Sequence, residues 1–72
     1  MEKAMKISAR NVLEGKVKDI KKGATTAHVV IDVKGITVMA SITNESVDEL
    51  SLKVGDAVKA IVKSSDVIVA VD

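Results

Sequence analysis

Cysteine is absent from the 72-residue chain, and so are phenylalanine, tyrosine and tryptophan. The first absence excludes a disulfide framework and a thiolate metal site. The second removes the flat side chains on which bases and sugars stack. No apolar run approaches the roughly 18 residues of a membrane-spanning helix. Chemistry-bearing side chains are also scarce. There is one histidine, His28, and it reads as a surface or packing residue of a strand. Asp48 and Glu49 are chain neighbours, not carboxylates opposed across a cleft. No oxygen cluster suits a divalent cation, no HExxH or GxSxG pattern occurs, and the four glycines form no phosphate loop. An enzyme is the least supported class, and neither a cofactor nor a directly ligated metal is expected.

What the chain has in abundance is branching at Cβ. It contains 13 Val, 7 Ile and 4 Thr, one third of its residues, which favours strands. With 47% apolar residues and a net charge of +1 it has the composition of a folded domain. That domain is small, and small cores supply only about 3–5 kcal/mol without staples. Disulfides and large aromatic side chains being absent, association of identical copies is the remaining staple, so the composition predicts a homo-oligomer. Charge is uneven: residues 1–22 carry seven basic and three acidic side chains, residues 23–72 four and seven. A basic N-terminal stretch attracts anions or nucleic acid, or simply solvates a strand face. Met1 to Lys6 lack the apolar core of a signal peptide, which predicts a cytoplasmic protein with no membrane association.

Five strand-like runs follow. In Asn11 to Ile20, Leu13, Gly15 and Val17 alternate with Glu14, Lys16 and Lys18. In Thr25 to Val33, Ala27, Val29 and Ile31 share a face. Lys34-Gly35 is a hairpin turn into Ile36 to Ile42, where Ile36, Val38, Ala40 and Ile42 share a face. Thr43 then reads as an N-cap for a helix of about two turns, with Ser46 and Glu49 as an alternative capping box and Val47 and Leu50 as its apolar side. After the Lys53-Val54-Gly55-Asp56 turn come Ala57 to Val62 and Val67 to Val71. The order β-β-β-α-β-β predicts an all-β fold with one short helix, an OB-fold-like five-stranded Greek-key barrel, with an SH3-like barrel as the alternative.

Three segments at strand ends are rich in short donors: Ser8-Ala9-Arg10-Asn11, Thr43-Asn44-Glu45-Ser46 and Lys63-Ser64-Ser65. Hydroxyls donate without bulk, and Arg or Lys adds charge-assisted hydrogen bonds. Together they suit a tetrahedral oxyanion. Separately each has an ordinary reading as a cap or a turn.

Ile7-Ser8-Ala9-Arg10-Asn11 with Leu13, Gly15 and Val17, and Ala60-Ile61-Val62-Lys63-Ser64-Ser65-Asp66-Val67, resemble the opening and closing signatures of the molbindins, the small Mop-domain proteins that bind molybdate. Lys22-Gly23, Ser41-Ile42-Thr43, Ser46-Val47, Glu49-Leu50 and Leu52-Lys53-Val54-Gly55-Asp56 extend the resemblance over about residues 5–71. It implies an OB-like barrel, a hexamer built as a trimer of dimers, and sites between subunits for molybdate or tungstate. By matched position it implies that Ser8, Arg10, Asn11, Thr43, Ser46, Lys63 and Ser64 contact the anion, with Ser65 adjacent. Family members commonly begin at the position of Met5, so residues 1–4 read as an N-terminal extension to a single domain of residues 5–72. The resemblance implies a free-standing protein of molybdenum storage or homeostasis. A regulatory module that partners a molybdate transporter or repressor is the alternative. A nucleic-acid-binding OB module is disfavoured by the missing aromatics.

Overall fold

The structure is a computed structural model that describes residues 11–72. Four strands form one antiparallel sheet: β1 (Asn11–Lys22), β2 (Thr26–Val33), β3 (Ile36–Thr43) and β4 (Ala57–Val62), in the spatial order β3-β2-β1-β4. A single helix, α1 (Asn44–Glu49), stands between β3 and β4. The mostly-β class with one short helix agrees with the sequence pattern.

The sheet curls because β1 serves two partners. Its first half, Asn11 to Lys16, pairs with β4, and its second half, Lys16 to Lys22, pairs with β2. Strict alternation would carry Asp19 to the core side after Gly15 and Val17. A bulge between Val17 and Asp19 changes the phase. Asp19 stays exposed and Ile20 turns inward opposite Val29. The Val54-Gly55 turn braces this bend: Gly55 N–H donates to the Val17 carbonyl at 2.8 Å, and Val17 N–H to that of Asp56 at 2.9 Å. Gly55 adopts φ +97°, a conformation that glycine holds without strain. At Gly15 the reason for glycine is space. A Cβ there would lie 2.5 Å from the Asp32 carbonyl oxygen and 2.9 Å from an Ile31 methyl.

The core is thin. Its buried members are Val17, Ala27, Val29, Ile31, Val33, Val47 and Ala60, none larger than isoleucine. Ala27, Val29 and Ile31 share the inner face of β2 as their alternation predicts. Two apolar residues assigned to inner faces are open: Leu13 is 38% exposed and Ile36 67%. Ile36 lies on the edge strand β3, and Leu13 on the part of β1 that pairs with β4 alone. In α1 only Val47 is buried; Leu50 is exposed, and Leu52, past the helix end, is half-buried against the core instead.

Among the described residues the fifth predicted strand is not seen. After β4 the chain makes a 3-10 turn, Ser64–Asp66, in place of a tight hairpin, and Val67 onwards pairs with none of the four strands. Ile68, Val69 and Val71 are 84–92% exposed. The described chain therefore has two free sheet edges, β3 and β4, where a five-stranded barrel would be closed.

Gly15→Ala is expected to lower unfolding free energy by about 1–3 kcal/mol, because the new methyl collides with backbone. Urea unfolding checks this; an unchanged midpoint would show that β1 and β2 can separate at no cost.

Candidate functional site

Pairing of β1 with β4 sets Asn11 opposite Val62, and Asn11 Nδ2 donates to the Val62 carbonyl at 3.1 Å. The residues that follow, Lys63, Ser64 and Ser65, are thereby brought beside the start of β1. All three are exposed. Ser8 and Arg10 lie outside the described residues.

Thr43 and Ser46 are held at the other end of β1. Thr43 is the N-cap of α1, as its position before the helix predicts, and its Oγ1 accepts the Ser46 N–H at 3.0 Å. The capping-box alternative between Ser46 and Glu49 is not used. The two hydroxyls are also joined, Thr43 Oγ1 to Ser46 Oγ at 2.9 Å. That bond spends one of two hydroxyl protons, so one donor is left for an outside acceptor. Asn44 anchors the pair to the β1–β2 turn. Its N–H donates to the Thr25 carbonyl and its Nδ2 to that of Gly23, at 2.8 and 2.9 Å. Its Oδ1 is buried with no hydrogen-bond partner. Lys22 Nζ meets Asp48 Oδ1 at 2.6 Å nearby, with both side chains largely in solvent, where such pairs contribute at most about 1 kcal/mol.

So the predicted donors fall into two groups. Asn11 and Lys63 to Ser65 mark the beginning of β1; Thr43 and Ser46 mark its end. Among the described residues no hydrogen bond links the groups. His28 is exposed on β2 between Lys21 and Ser41, consistent with a surface residue. Among the described residues no three His, Asp or Glu side chains gather to hold a metal ion. Asn44 was not singled out by sequence reasoning. An asparagine directly after a capping threonine was the available signal, but its long reach to Gly23 is tertiary.

A second feature had no sequence signal. An apolar cleft of about 450 Å³ opens between β3 and β4. Val38 and Ile42 wall one side, Val58 and Ile61 the other, with Val29 at its floor and Leu52 at one end.

The TOBE domain matches residues 7–69. Molybdenum-pterin-binding protein 2 of Clostridium pasteurianum is 48% identical over 66 residues, which cover 90% of this chain and 97% of that one. The chain is a molbindin of the TOBE-domain family. The molybdate-binding protein of Sporomusa ovata superposes with a TM-score of 0.88 at 48% identity, over 92% of this molbindin and 98% of that chain. The cytoplasmic molybdate-binding protein ModG, with molybdate bound, gives 0.84 at 42% identity, over 89% of this chain and 46% of ModG.

Thr43→Ala removes the helix cap and is expected to cost about 1 kcal/mol of stability, while Thr43→Ser retains most of it. Thermal unfolding of both variants decides; equal losses would mean that the hydroxyl does not act as the cap.

Proposed function

We propose that this molbindin binds molybdate, and tungstate, between subunits of a homo-oligomer, in intracellular molybdenum storage or homeostasis. The observation that carries the reading is likeness across nearly the whole chain to a molybdate-binding protein and a molybdenum-pterin-binding protein, each matched over nearly its full length. The likeness to ModG, a cytoplasmic protein, supports the compartment. The division of donors supports the position of the site. Asn11, Lys63, Ser64 and Ser65 stand at one end of β1; Thr43 and Ser46 stand at the other. One chain keeps the halves at the two ends of β1, and a second copy brings an opposite half to each.

Molybdate is a tetrahedral dianion at neutral pH. Hydroxyl and amide donors surround it without full charge neutralisation, and the Lys63 ammonium adds a charge-assisted bond. With no carboxylate among them, these side chains accommodate a dianion better than a phosphate that keeps a proton. A cavity fitted to the longer metal–oxygen bonds weakens contacts to sulfate.

Assembly has a physical basis in the open sheet. Val67 to Val71 form an exposed apolar arm, and the cleft between β3 and β4 is an apolar slot with unpaired backbone on both walls. An arm from a second copy, laid in the slot as a strand, satisfies both. The exchange is reciprocal, as a two-fold interface requires. Each Val or Ile side chain buried in this way contributes about 1.5–3 kcal/mol before ordering costs. The dimer so formed is the unit of the proposed hexamer.

Native mass spectrometry of the full chain, with and without molybdate, is expected to give hexamers that gain molybdate masses but no sulfate masses. A chain ending at Asp66 is expected to fall to lower oligomers. Monomers throughout, or equal uptake of both anions, would overturn the reading. Lys63→Ala is expected to weaken molybdate about 10- to 100-fold in titration calorimetry, the loss of one charged hydrogen bond. Unchanged affinity removes Lys63 from the site.

A further inference from the structure

The donors at the end of β4 are also the hinge of the arm. Upstream of the hinge the chain is fixed: Val62 pairs with Asn11 through both backbone and side chain. Lys63 leaves the sheet in extended conformation, φ −65° and ψ 141°. Ser64–Asp66 then make one 3-10 turn, closed by Asp66 N–H to the Lys63 carbonyl at 2.9 Å and Val67 N–H to the Ser64 carbonyl at 3.3 Å. No side chain caps the turn, and all of its residues are exposed. Val67 is extended again, and the arm beyond it touches solvent. Two exposed backbone hydrogen bonds thus set the direction in which six residues leave the body. Such bonds are weak once competition from water is counted.

We propose that the bound oxyanion locks this hinge, so that occupancy of the site governs exchange of arms between copies. The inference rests on the binding reading above and adds regulation to it. An anion held by the Lys63 ammonium and the Ser64 and Ser65 hydroxyls ties three consecutive residues to one centre. The dihedral angles of the turn then cannot change without breaking those contacts. An arm leaves its partner's slot by swinging at this turn, so it swings only after the anion has left. Loaded protein keeps its partners and empty protein trades them. The coupling is reciprocal: an undocked arm scatters the same donors and lowers anion affinity by the same factor. Because the anion binds only the closed hinge, the open population falls by one plus the ratio of free anion to its dissociation constant.

Isotopically heavy and light assemblies of the full chain are mixed with and without molybdate. Native mass spectrometry reads anion content and the rate at which mixed assemblies appear. Hydrogen exchange of the Asp66 and Val67 amides reads the hinge itself. With molybdate at a hundred times its dissociation constant, both rates are expected to fall about a hundredfold. Molybdate bound with either rate unchanged overturns the lock and leaves the binding reading intact. Molybdate not bound at all overturns both.

Discussion

The apolar cleft between β3 and β4 is the constraint from which the other features follow. A sheet with order β3-β2-β1-β4 has two edges, and here both border the same apolar space. Unpaired strand edges beside apolar side chains are a liability for a soluble chain. The core does not compensate for it, because seven buried residues no larger than isoleucine make a small apolar reserve. Meanwhile the apolar strand-like segment Val67 to Val71 is exposed, Ile68, Val69 and Val71 almost fully. Among the described residues the chain thus holds a slot and a strand-like segment that do not pair with each other. In the proposed dimer two chains would remove both deficits with no new surface.

The bulge in β1 gives the slot its shape. Without it β1 would pair along its length with one neighbour on each side and keep Asp19 facing inward. With it, β1 bends, gives its first half to β4 and its second to β2, and draws the two edges round toward each other. The price is close approach, and Gly15 accommodates it where β1 crosses Asp32. The same bend sends the two ends of β1 in different directions. Asn11 and Lys63 go to one, and Thr43 and Ser46 go to the other. Division of the donors is therefore a consequence of the architecture, and the proposed site shared between chains would complete it.

Much of this was legible in the residues. The alternation of β2, the Lys34-Gly35 hairpin and the Thr43 cap rest on local chemistry, and all three appear as read. Four of the five strands were placed within about two residues, the usual uncertainty of strand ends. Local pattern failed where a neighbour decides. Val67 to Val71 has a strand's composition, but a strand exists only when another strand pairs with it, and no residue pattern states which chain supplies that partner. Leu13 and Ile36 fail in the same way: their faces were read correctly, while the cover over those faces was not. The bulge at Lys18 was invisible because one extra residue in a strand leaves composition unchanged. The donors were legible as segments; their sorting to the two ends of β1 was not.

Absence of aromatic residues acquires a physical sense in this setting. In the proposed exchange, an arm that leaves one slot and enters another would favour side chains that bury moderate area and need no matched polar atom. Valine and isoleucine meet both conditions, whereas a buried tyrosine or tryptophan would have to find a partner for its O–H or N–H in each state. The anion site makes a parallel demand, since a tetrahedral dianion offers no flat face and is met by hydroxyls, amides and a cation. On the proposed reading one composition serves an interface that exchanges and a ligand without a ring. The two requirements meet at Lys63 to Asp66, where four consecutive residues separate β4 from the exposed arm. A site placed on that joint would sense assembly directly, because the distance between its donors would depend on where the arm lies.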